Sequence, residues 1–230
     1  MFYFDPLYFV FLAPALLLML YAQWRVRSAI GKYGEIPNRL GLTGAQVARA
    51  ILDRNGLFDV PVELTPGELT DHYDPLRRVV RLSEPIYYGR SVAALGVAAH
   101  ETGHAIQHKV GYVPLQLRTA IVPAVNIGTN IGWILMILGI IIGISGLAWV
   151  GVVLFSLGTL FALLTLPVEF DASRRALALL TTMGIVDRTE EGQAREVLNA
   201  AALTYVAGLV MAVVNLLYWI SLVSGMRRSE

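Results

Sequence analysis

The chain has 230 residues, 56% hydrophobic and 15% charged, with a mean hydropathy of +0.60. Soluble domains carry about a quarter charged residues, so this composition points to a membrane protein and away from a free-standing soluble domain. The net charge of +1 gives no global attraction to nucleic acid, and the absence of cysteine excludes disulfides, thiolate metal sites and a cysteine nucleophile.

Residues 1–23 read as an N-terminal transmembrane anchor. The run from Phe2 to Tyr21 is apolar apart from Asp5 and reaches the ~20 residues that a spanning helix needs. Arg25, Arg27 and Lys32 follow the run, whereas a cleaved signal peptide carries its basic residues in front. The expected topology has the N-terminus outside and residue 24 onward in the cytoplasm, with Tyr21 and Trp24 in the interfacial belt.

Residues 24–118 hold 12 of the 18 Lys and Arg and have the punctuation of a cytoplasmic domain. Thr43-Gly44-Ala45-Gln46 forms a capping box. It opens a helix, with Val47, Ala48, Ile51 and Leu52 on one stripe, that stops at Asn55-Gly56. Val60–Leu64, Leu69–Tyr73 and Val79–Leu82 read as short strands, with turns at Pro66-Gly67 and Asp74-Pro75. A further helix starts near Ser91 and contains His100-Glu101-Thr102-Gly103-His104, the pattern His-Glu-x-x-His. Residues four apart share a helix face. Both imidazoles can therefore ligate one zinc ion, with Glu101 beside them as general base for the water that zinc activates. Two structural histidines in a chance match are the competing reading. Helix, strands and a metal-binding helix make a small α+β unit of about 95 residues, small for an independent core.

Residues 119–167 read as a transmembrane hairpin. Ala120 to Leu166 contains no charge, is long enough for two crossings and is apolar all round rather than striped; Ser145-Gly146 is the expected turn. Residues 168–199 form a polar cytoplasmic helical segment with Arg174, Arg175, Arg188 and Arg195. Residues 200–230 supply a last span, Ala200 to Val223, and a short tail. This topology puts Arg227 and Arg228 outside, against the positive-inside preference. A transporter or channel is disfavoured, because it expects ionisable groups within its spans.

A catalytic zinc needs a third protein ligand and an open position. His108 lies ~12 Å from His100 along an unbroken helix, out of reach of a shared metal. Glu169 is the better candidate: an even number of crossings separates it from the motif helix, so both reach the same side of the membrane. A carboxylate capping a helix N-terminus is the alternative for Glu169. The spacing also suggests that Gly103 admits close approach of another element.

Residues 97–108, together with Pro167-Val168-Glu169-Phe170-Asp171-Ala172-Ser173, resemble the bacterial YugP-type neutral zinc metallopeptidases. Gly41 to Ala48 and Asp71-His72-Tyr73-Asp74-Pro75 fit that pattern too. The likeness extends more distantly to the HtpX and CAAX-prenyl membrane gluzincins. The resemblance implies a mostly α membrane protein of about four transmembrane helices, with a small cytoplasmic α+β zincin-like part carrying the motif helix. It implies one zinc ion held by His100, His104 and Glu169, with Glu101 as base. The wider group usually has Asp four residues after the ligand glutamate; this chain has Ser173 there and Asp171 two residues earlier. Helical periodicity puts Ser173 on the face of Glu169 and points Asp171 away, which leaves the role of orienting a ligand histidine open between them.

The chemistry expected is hydrolysis of a polypeptide, membrane-bound or membrane-proximal, at the cytoplasmic interface of the lipid bilayer. The developing oxyanion needs a further electrophile, for which His72, Tyr73, Arg174 and Arg175 are candidates. His72 also lies in a strand that could pair with an extended substrate. The rival is a catalytically silent zinc-bound scaffold or pseudo-protease.

Overall fold

In the computed structural model, which describes residues 6–226, the chain runs α1 (Pro6–Gly34), α2 (Gly44–Arg54), β1 (Val62–Thr65), β2 (His72–Asp74), β3 (Val79–Ser83), α3 (Glu84–Tyr87), α4 (Val92–Lys109), α5 (Val113–Ile142), α6 (Ser145–Thr182) and α7 (Arg188–Met226). Four helices, α1, α5, α6 and α7, are long and apolar enough to cross a membrane. Asp5 and the tail arginines Arg227 and Arg228, which entered the expected topology, lie outside the described residues.

The chain divides into two compact units. One gathers the apolar stretches: α1 up to Tyr21, Leu117–Leu166, and α7 from Thr204 onward. Lipid offers no hydrophobic drive between helices, so close packing of small residues must hold them. A Cβ on Gly139 would stand 2.4 Å from the Ala148 backbone nitrogen, and one on Gly151 would stand 2.4 Å from that of Met136. Bare backbone is therefore what lets α5 and α6 touch. Met136, Ala148, Val152 and Val223 form the buried centre of this unit.

The other unit comprises Ala22–Gln116 and Pro167–Leu203. Its sheet has the order β1-β3-β2, with β1 parallel and β2 antiparallel to β3. The central strand β3 is buried through Val79, Val80 and Leu82, while β2 is an edge. Helix α2 has the expected capping box: Thr43 Oγ1 accepts from Gln46 N, and the Gln46 side chain accepts from Thr43 N. At the heart of the unit is α4, capped by Ser91 Oγ, with every residue from Val92 to Gln107 buried except Val97. Its alanines and glycines are what allow helices and sheet to close on it from all sides; Gly96, for instance, faces Ala194 of α7.

Several expected boundaries move. The second strand begins at His72 rather than Leu69, because Leu69 takes φ 56°, incompatible with extended backbone. The hairpin turn falls at Gly143-Ile144 rather than Ser145-Gly146. Gly143 adopts φ 76° and Ile144 N donates to Gly139 O at 2.9 Å, a Schellman end that stops α5 and leaves Ser145 to open α6. The polar segment 168–199 is not an element of its own. It is the continuation of α6 to Thr182 and the first turns of α7, separated by a turn in which Gly184 takes φ 65°. Glu169 therefore sits well inside α6, so its alternative role as a helix N-terminal cap does not apply.

Candidate metal centre

Helix α4 presents His100 and His104 one turn apart, and α6 brings Glu169 against them. His100 Nε2 lies 3.2 Å from Glu169 Oε2 and 3.2 Å from His104 Nε2, and His104 Nε2 lies 3.6 Å from Glu169 Oε2. Three donors at ~2.0–2.1 Å around a tetrahedral ion stand about 3.3–3.4 Å apart. The observed triangle fits zinc in size, and two imidazoles with one carboxylate fit it in chemistry. Burial is deep: His100, His104 and Glu169 are 9%, 8% and 2% exposed.

The meeting of the two helices depends on Gly103. A Cβ there would stand 2.8 Å from Ala172 O and 3.2 Å from Ala172 Cα. The crossing is centred on Val168 and Ala172 of α6, both fully buried. Residues on either flank of that line then reach α4: Glu169 and Ser173 on one side, Asp171 on the other. We expect Gly103→Ala to cost about 1–3 kcal/mol, as overpacking does, and to lower metal affinity by parting Glu169 from the imidazoles. A thermal melt with and without zinc measures both effects.

This crossing brings both Ser173 and Asp171 toward the imidazoles of α4. Ser173 Oγ lies 3.1 Å from His100 Nδ1. Asp171, expected to point away, reaches α4 as well: its Oδ2 accepts from Gln107 Nε2 at 2.9 Å, and Gln107 Oε1 lies 3.0 Å from His104 Nδ1. Each imidazole is thus backed by its own partner. The helical wheel failed because it was centred on Glu169 rather than on the line of contact. Gln107 carries its own signal in the sequence: a polar amide three residues past His104, in a run otherwise rich in alanine.

Glu101 is 8% exposed. Burial pushes its carboxyl above the ordinary range, the two imidazoles pull it back, and the carboxylates of Glu169 and Asp71 add to the rise. Burial works against charge on His104, yet hydrogen bonding and attraction from Glu169 outweigh it and hold the imidazole above its usual value. The negative charge of Glu169 beside the two imidazoles favours a cation.

The structure brings His100, His104, Glu169 and Ser173 together and joins Asp171 through Gln107. His72, Tyr73 and Arg174 are directed elsewhere. His72 is exposed, with Nδ1 2.7 Å from Thr70 O. Tyr73 Oη lies 2.8 Å from Nδ1 of His108, which is itself exposed at the end of α4. Arg174 pairs with Asp171 and its side chain is largely in solvent, while Arg175 Nε donates to Asp171 Oδ2 at 2.5 Å with its guanidinium over the Tyr112 ring.

Comparison with known proteins adds two findings. Residues 8–224 match the family described as "Putative neutral zinc metallopeptidase". The chain is 49% identical over 213 residues to "Putative membrane protease YugP" of Bacillus subtilis (strain 168), covering 92% of this chain and 95% of that protein. No solved structure matches the chain. The chain therefore belongs to the neutral zinc metallopeptidase family that this description names, and it is a membrane protein with four apolar helices of spanning length among the described residues.

Proposed function

We propose that the protein is a membrane-embedded zinc metalloendopeptidase whose single metal is held by His100, His104 and Glu169. The observation that carries this reading is the arrival of a buried carboxylate, 69 positions along the chain from His100, within 3.2 Å and 3.6 Å of two imidazoles on another helix. When bound, zinc supplies a Lewis acid that polarises a scissile carbonyl and makes water acidic near neutral pH. Glu101 takes the proton from the attacking water and hands it to the leaving amine. A carboxylate raised by burial holds that proton well, as a base that must later act as an acid requires. Edge strand β2 offers unpaired backbone to an extended polypeptide, the usual way in which a sheet edge recognises a peptide.

The charge-free run of α6 ends at Leu166, three residues before Glu169. This supports chemistry at the membrane interface, and the basic content of residues 24–118 supports the cytoplasmic side. Membrane proteins or membrane-proximal segments are then the substrates at hand, and a lipid-anchored reporter should be cut faster than its soluble form.

The test of the whole reading is elemental analysis of the purified chain alongside peptide cleavage. We expect one zinc per chain, loss of cleavage on chelation and recovery on adding zinc back. Zinc without cleavage of any polypeptide would make the protein a silent scaffold, and a chain that binds no zinc would end the proposal.

A further inference from the structure

Gln107 is fully buried. Its Nε2 donates to Val168 O at 2.8 Å and to Asp171 Oδ2 at 2.9 Å. Both of those groups only accept: one is a backbone carbonyl, the other a carboxylate flanked by Arg174 and Arg175. An amide facing two such acceptors has one workable orientation, which removes the usual ambiguity between its oxygen and nitrogen. Gln107 Oε1 must then be the atom 3.0 Å from His104 Nδ1. An oxygen can only accept there, so Nδ1 carries a proton. In the neutral ring the lone pair falls on Nε2, the atom that faces His100 Nε2 and Glu169.

His100 is held differently. Its Nδ1 faces the Ser173 hydroxyl at 3.1 Å, and a hydroxyl donates or accepts as required. Of the two partners at Nδ1, Gln107 therefore selects a tautomer of its imidazole, whereas Ser173 accommodates either.

We propose that Gln107 is a positioning residue that commits His104 to ligation through Nε2 before metal arrives, with Asp171 as the charge behind it. Partners of this kind fix the ring and raise the basicity of the ligand nitrogen. The inference rests on the reading of His104 as a zinc ligand.

The experiment is zinc titration of the full-length protein in detergent against a competing chelator, with the visible spectrum of the cobalt-substituted protein as a second readout of ligand geometry. Q107L should weaken zinc by roughly ten- to a hundred-fold, the usual cost of losing such a partner, and should alter the cobalt spectrum. Q107E should also weaken it, because the new carboxylate opposes Asp171. Adding D171N should restore much of the affinity, since position 171 then donates to position 107 while His104 keeps its acceptor. Should Q107L fail to fold, the pair Q107E and Q107E/D171N carries the comparison. Wild-type protein that binds zinc, with Q107L within about two-fold of it, overturns the inference alone, as does an added D171N that fails to rescue Q107E. Wild-type protein that binds no zinc removes the proposed function and this inference with it.

Discussion

Glu101→Gln is expected to reduce peptide cleavage by about 10²–10⁴-fold, the contribution typical of a positioned general base, while zinc per chain stays at the wild-type value. The substitution keeps the size and shape of a side chain that is 8% exposed, so the packing of α4 around it is undisturbed. What it removes is the ability to take a proton. Steady-state cleavage of a fluorogenic peptide, read beside elemental zinc and a thermal melt, separates the three quantities. Cleavage at the wild-type rate would show that Glu101 is not the base.

Glu169→Ala should strip the metal. Two imidazoles remain, their Nε2 atoms 3.2 Å apart on one helix, but they lack the third donor that closes the site. We expect affinity to fall by more than the ~10–100-fold that loss of an outer partner costs, so that zinc is lost on dialysis. Glu169→Gln is the companion variant. It preserves the volume of a group that is 2% exposed but cannot carry the negative charge, and it should lose zinc without opening a cavity. Unchanged occupancy in both would assign the third position to another residue.

The local elements were legible because their causes are local. A capping box, an apolar stripe and Asn55-Gly56 suffice to bound α2, and charge-free runs suffice to mark spanning helices. The spacing of His100 and His104 puts both on one face of any helix. The strands were legible in number but not in full extent: Leu69 falls out of its expected strand by positive φ, which no pattern of hydrophobicity reveals. The hairpin turn was misplaced by two residues for the same reason: Gly143, not Ser145, takes the left-handed conformation.

The amino-acid sequence by itself determined which side chains could serve a metal and which helices carry them, since both follow from residue type and a 3.6-residue period. Tertiary structure alone decided how those helices cross. Because Gly103 has no side chain, α6 comes close enough at Ala172 for both of its flanks to reach α4. Glu169 thereby meets two imidazoles, Ser173 backs His100, and Asp171 reaches His104 through Gln107. Periodicity along one helix carries no information about the line on which another helix will touch it, and that line set the partners of every group in the site.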